Sequence, residues 1–149
     1  MITLEGIARR SGKRAPMESL DSSRVSIAEG IEGDFRGKPG KRQVTVLSLE
    51  SWQKACEEAG AELAWHTRRA NLLIKGFEFL PNDVGSYVCI GDVVLEITRE
   101  TDPCKRMDEA FEGLRETMKP GWRGGVCCRV VQEGSVELGD IVEIVSLQD

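Results

Sequence analysis

The sequence predicts a mainly β fold: a closed or nearly closed barrel of about seven or eight strands with two or more short helices. Short, β-branched, alternating runs recur along the chain, Gln43–Leu47 (QVTVL) and Val93–Ile97 (VVLEI) among them. Glycine is abundant at 16 residues and falls between such runs, where turns are needed. Strand runs do not alternate regularly with helical ones, which disfavours a doubly wound parallel sheet. A length of 149 residues fits one domain over 1–149. Such a chain buries enough apolar surface to fold without disulfides or a metal.

In chain order, Ile2–Ala8 reads as a first strand, followed by the basic loop Arg9–Arg14. Residues 15–24, with Pro16 and a Ser/Asp cluster, read as irregular. Val25–Ala28 resumes as strand and breaks at Gly30, and Gly33–Arg42 is a loop carrying four basic residues. After the strand Gln43–Leu47 comes a helix capped by Ser48 or Ser51 and ended near Gly60; Trp52, Ala55, Cys56 and Ala59 recur at helical spacing. Ala70–Lys75, Tyr87–Ile90 and Val93–Ile97 read as strands, with Pro81-Asn82-Asp83 and Gly91-Asp92 as turns. A second helix starts with Asp102 as N-cap and Pro103 in the first helical position. It presents Met107, Ala110, Phe111, Leu114 and Met118 as one apolar face up to Pro120-Gly121. Val126–Val131 and Ile141–Val145 close the fold, joined through Glu133-Gly134 and Gly139-Asp140.

The net charge of −5 disfavours a nucleic-acid partner. Residues 1–75 are nevertheless basic and 76–149 acidic, so a local anion site on an acidic protein is compatible with the pattern, as is scattered solvated charge. No run approaches the ~18 apolar residues of a membrane span. The N-terminus lacks the basic and apolar regions of a signal peptide. Five cysteines, an odd number, then read as reduced thiols of a cytoplasmic protein.

Phosphate-loop, dinucleotide-binding, Cys-x-x-Cys and Gly-x-Ser-x-Gly patterns are absent, and His66 is the only histidine. His66, beside Trp65, reads as a surface or packing residue. Cys104 stands apart from the other cysteines. In the first turn of the second helix, free N–H groups would favour its thiolate, as would the adjacent Lys105 and Arg106. The alternative is a small buried apolar residue. Cys56, Cys89, Cys127 and Cys128 lie in apolar helix or strand patterns and read as structural; the adjacent Cys127 and Cys128 face opposite sides of a strand. Arg36 with Lys38, Arg68 with Arg69, and Arg123 beside Gly124-Gly125 are three basic groups that a barrel brings together around an oxyanion, with Asn71 as an amide donor. Each taken singly is equally compatible with a solvated loop.

Several of these segments, taken together and in order, resemble the MOSC domain family, named from the C-terminal part of molybdenum cofactor sulfurases. They are Gly30-Ile31-Glu32-Gly33-Asp34 with Arg36, Arg42–Leu47, Arg69-Ala70-Asn71-Leu72 with Lys75-Gly76, Val88–Leu95, Pro103-Cys104-Lys105-Arg106-Met107, Arg123-Gly124-Gly125-Val126, and Gly134 with Gly139-Asp140. The resemblance implies a β-barrel and one functional cysteine, which falls on Cys104. It implies a molybdenum cofactor (molybdopterin) with Cys104 as catalytic residue and molybdenum ligand. Arg36, Arg69, Asn71, Lys105, Arg106, Arg123 and Gly124 are then the cofactor-binding set. Other members carry a second cysteine where this sequence has Met107. The pyridoxal phosphate of the large sulfurases belongs to a separate domain and is not expected in this chain.

Three functions follow as expectations. In the first, Cys104 holds molybdenum and an electron-donor protein supports reduction of N-hydroxylated compounds. In the second, Cys104 takes sulfur from a cysteine desulfurase as a persulfide and passes it on. In the third, the domain binds an anion without catalysis and Cys104 is structural.

Overall fold

A computed structural model describes residues 1–146. Eleven strands are seen among the described residues: β1 (Ile2–Arg9), β2 (Glu18–Leu20), β3 (Ser22–Ser26), β4 (Gly30–Ile31), β5 (Val44–Ser48), β6 (Leu72–Lys75), β7 (Tyr87–Ile90), β8 (Val93–Glu100), β9 (Val126–Gln132), β10 (Gly134–Glu137) and β11 (Ile141–Val145). Three α-helices accompany them, α1 (Leu49–Ala59), α2 (Lys105–Ala110) and α3 (Leu114–Met118), with short 3-10 turns between elements.

The barrel runs β1-β11-β7-β8-β9-β5-β6 and returns to β1, where Ile2 pairs with Val142 and Thr3 with Ile141. Those pairs close seven strands; β2 rides on β1 as an extra one. All barrel pairs are antiparallel except β5 and β6. That pair is parallel because the chain crosses from one strand to the next through α1. A small sheet, β10-β3-β4, adds Val136, Val25 and Ile31 to the barrel core.

Alternation along the strands decides what faces where. Val44 and Val46 of β5, Leu72 and Ile74 of β6, and Val126 and Cys128 of β9 point into the barrel. Leu47 and Leu73 point outward and are covered by Trp52, Met107, Leu114 and Met118 of the helices. Each such side chain, fully buried, contributes about 1.5–3 kcal/mol. Helix α1 forms as its sequence predicts: the Ser48 side chain accepts from the Ser51 N–H, and Gly60 caps the far end with φ 75°.

Several expectations change. The segment 15–24 is not irregular: β2 and the start of β3 lie in it. Glu18, Ser19, Ser22 and Arg24 are exposed, so no apolar alternation marks these strands. Strand β10 also escaped that pattern, because Gly134 fills one of its two inward positions. The second helix is two helices, broken at Gly113, whose φ is 92°. Met107, Leu114 and Met118 are buried, but Ala110 and Phe111 are exposed. The N-cap is Cys104 and not Asp102, whose carboxylate is drawn to Arg99 at 3.1 Å.

Candidate functional site

Where the outward faces of β5 and β9 meet the ends of β1 and β8, the loops around them enclose a cavity of about 300 Å³. Outward-facing Thr45 and Cys127 line it, while their neighbours Val46 and Cys128 fill the barrel. Asn71 ties three strands together at its base. Its N–H donates to the Thr45 carbonyl at 3.0 Å, its Oδ1 accepts from the Thr45 N–H at 3.0 Å, and its Nδ2 donates to the Ala8 carbonyl at 3.2 Å.

The cavity is strongly cationic. Arg10, Arg36, Arg42, Arg68, Arg69 and Arg106 line it, against the carboxylates of Asp34 and Asp102. Arg68 is buried and structural: its Nε donates to Gly124 O at 3.2 Å, and its Nη2 donates to Thr101 O at 2.9 Å and Asp102 O at 3.3 Å. It knits the exit of β8 to the entry of β9. Gly124 permits that approach, since a Cβ there would lie 2.3 Å from the Thr101 carbonyl oxygen. Arg69 follows in the left-handed region at φ 63° and caps the 3-10 helix Trp65–Arg68. For a non-glycine residue that conformation costs on the order of 1 kcal/mol. Arg10 is held at the end of β1: its N–H donates to Asp34 Oδ1 at 3.1 Å and its carbonyl accepts from Phe35 N–H at 2.8 Å. Its guanidinium lies 5.8 Å from the centroid of the Phe35 ring.

The guanidinium groups act on one another. Burial first, then the charges of Arg69 and Arg36, holds Arg10 below its ordinary value, while Asp34 opposes the shift. Burial and then Arg106, Arg14 and Arg36 do the same to Arg69, and a charge on Cys104 works the other way. Burial also lowers Arg68, opposed first by Cys104 and then by Cys127. Arg10 Nη1 and Arg69 Nη1 are buried without a hydrogen-bond partner.

Cys104 is exposed and lines this cavity. It is the N-cap of α2, with φ −119° and ψ 177°, and its side chain makes no capping hydrogen bond. Helix α2 has only six residues, so the positive surroundings of the thiol come from arginines gathered through the fold and little from the helix end. Of the residues singled out from sequence, the fold brings Cys104, Arg36, Arg68, Arg69, Asn71, Arg106 and Gly124 to one cavity. Arg123 lies elsewhere: its Nη1 donates to Thr117 O at 2.8 Å and its Nη2 pairs with Glu58 at 2.7 Å. Lys105 is exposed and outside the lining. Arg10 and Arg42, which the sequence marks only as members of basic loops and, for Arg42, of a family-like segment, also line the cavity, as does Thr101, which no sequence pattern marks. Cys127, read from sequence as structural, also reaches the cavity, its Sγ 3.2 Å from Thr101 Oγ1. Strand alternation already separated it from Cys128, which was the available signal. His66 packs edge-on against Trp65 with ring centroids 6.1 Å apart.

Among the described residues no helix is long and apolar enough to cross a membrane. Several solved structures share the fold. YuaD from Bacillus subtilis has a TM-score of 0.81 at 20% identity, with 99% of this chain and 98% of that one covered. YiiM from Geobacillus stearothermophilus has a TM-score of 0.76 at 16% identity, covering 98% and 76%. YiiM from Escherichia coli has a TM-score of 0.70 at 15% identity, covering 97% and 70%. No curated protein matches the chain. The MOSC domain model matches residues 29–143, from the turn before β4 into β11 and so across most of the barrel and its cavity, and the chain belongs to the MOSC domain family.

Proposed function

We propose that this MOSC protein binds a molybdenum cofactor, with the Cys104 thiolate as a ligand to the molybdenum and the cavity arginines on the pterin phosphate. One observation carries the reading: an exposed thiol opens onto a cavity where two buried guanidinium nitrogens lack partners. Arg10 and Arg69 fit an oxyanion, because planar guanidinium groups bind phosphate oxygens with paired donors. Thiolate is a soft ligand suited to such a metal. Among the described residues no three His, Cys, Asp or Glu side chains gather as metal ligands, so a metal at Cys104 has to bring most of its coordination with it. When bound, the group supplies two-electron redox chemistry, which on a partner's electrons serves the reduction of N-hydroxylated compounds. Arg68 and Asn71 keep the strands in register beneath the site, and Arg36, Arg42 and Arg106 set its charge.

The test is expression in cells that make the cofactor, followed by measurement of molybdenum and pterin per chain. Bound molybdenum is expected in the parent protein and not in Cys104→Ser. Arg69→Gln should lose pterin. Equal metal content in Cys104→Ser would overturn the reading.

A second reading rests on the thiol itself. Cys104 is exposed and uncapped, as a persulfide carrier needs. Persulfide on Cys104 in protein free of molybdenum would favour it.

A further inference from the structure

The cavity carries a charge imbalance that points to its ligand. Arg10 is 6% exposed, yet its Nη1 has no hydrogen-bond partner, and Arg69 Nη1 is buried and unpartnered as well. A buried donor left unsatisfied loses its hydration with nothing in return. Arg36, Arg42 and Arg106 add like charge around the same space, and Asp34 is already engaged by the Arg10 N–H. A compact dianion with several acceptor oxygens relieves all of this at once. Sulfate and phosphate meet that description but offer a thiolate no sulfur to attack. The cavity also contains a thiol: Cys104 lines it, within electrostatic reach of Arg68 and Arg69. A dianion whose oxyanion group carries an electrophilic outer sulfur satisfies both halves of the site.

We propose that the cavity takes thiosulfate, and that Cys104 acquires its sulfur from it while Arg10 and Arg69 hold the oxyanion end. The inference rests on the persulfide reading of Cys104 and names the donor for it. The Cys104 thiolate attacks the outer sulfur of thiosulfate. A sulfur–sulfur bond forms to Cys104 as the bond to the sulfonate sulfur breaks, and its electron pair leaves with sulfite. The products are a Cys104 persulfide anion and sulfite, so total charge is conserved. The outer sulfur moves as a neutral atom, and no proton, external oxidant or reductant takes part. Sulfite is itself a dianion and stays with the guanidinium groups as it forms, which is where stabilisation of the leaving group is needed. The same positive lining explains why a charged donor is accepted by a protein with a net charge of −5.

The full chain is incubated with thiosulfate, and intact mass, peptide mapping and released sulfite are followed. The expected result is a gain of one sulfur atom at Cys104 with an equivalent of sulfite, and neither in Cys104→Ser. Arg69→Gln and Arg36→Gln should slow loading from thiosulfate by roughly tenfold or more, and loading from a neutral organic trisulfide by much less; there Cys104 displaces one thiolate to form a mixed trisulfide, and an added thiol releases the Cys104 persulfide from it with a disulfide as the other product. Sulfate should compete with thiosulfate but not with the trisulfide. Arg36 is exposed, so its variant retains the fold and reads the charge effect without a change in packing. Loading from the trisulfide but not from thiosulfate overturns this inference and leaves the persulfide reading standing. Failure with both donors overturns both. Equal slowing of the two donors by the arginine variants also overturns it, because the arginines would then not be reading the oxyanion.

Discussion

Cys104 is the one cysteine the fold leaves exposed; Cys56, Cys127 and Cys128 are buried and Cys89 is half-buried. Under native conditions iodoacetamide should therefore modify Cys104 first, with one fast equivalent by mass spectrometry that is absent in Cys104→Ser. A phosphate or sulfate ion held in the cavity should slow that phase. The neighbouring arginines divide by role. Arg68 has its side chain committed to the carbonyls of Gly124, Thr101 and Asp102, whereas Arg10 and Arg69 each keep a donor free. Arg68→Met leaves those carbonyls without their donor and should lower the stability measured by urea unfolding by about 2–4 kcal/mol. Arg69→Gln should change stability far less and ligand binding far more.

The elements around the cavity are held by close backbone approaches. A Cβ on Gly124 would meet the Thr101 carbonyl at 2.3 Å, and one on Gly125 the Val46 carbonyl at 2.4 Å. Gly124→Ala should push β8 and β9 apart at their junction, costing about 1–3 kcal/mol in urea unfolding and slowing every reaction of Cys104. At the end of β8, burial and then the hydrogen bond shared with Asp102 push the Glu100 carboxyl up. A raised carboxyl is protonated more readily in the folded chain. Its contribution to stability is thus present below the ordinary glutamate value and lost as pH rises through the folded value. Glu100→Gln should therefore be slightly more heat-stable than the parent at pH 7, with the difference gone below about pH 4; calorimetry across that range checks the sign.

Over the molecule as a whole, a site of arginines is embedded in a chain of net charge −5. Any dianion that binds the folded state alone stabilises it, by about 2.7 kcal/mol at a hundredfold excess over Kd. Sulfate and phosphate should thus raise the melting temperature by several degrees beyond chloride at equal ionic strength. Arg69→Gln should remove most of that difference. The strand end that carries Arg10 is held on both sides: Ala8 and Arg9 pair with Ser19 and Glu18 of β2, and Ala8 exchanges hydrogen bonds with Asn71 on the other flank.

The chain's local patterns were enough to specify the barrel strands β1, β5 to β9 and β11, helix α1 from Ser48 to Gly60, and the opposite facing of Cys127 and Cys128. Alternation and helical spacing are properties of neighbouring residues, and the family motifs lie in short ordered segments. The polar edge strand β2, the polar start of β3, the break at Gly113 and the cap at Cys104 depend instead on distant partners such as Arg99 and β10. The cationic cavity is the extreme case. Arg10, Arg36, Arg69 and Arg106 are far apart in sequence and lie side by side only once the barrel has closed, while Arg123 is drawn off by Glu58. Charge reaches through space and not along the chain, so tertiary packing alone assigned each arginine to the site or to the scaffold.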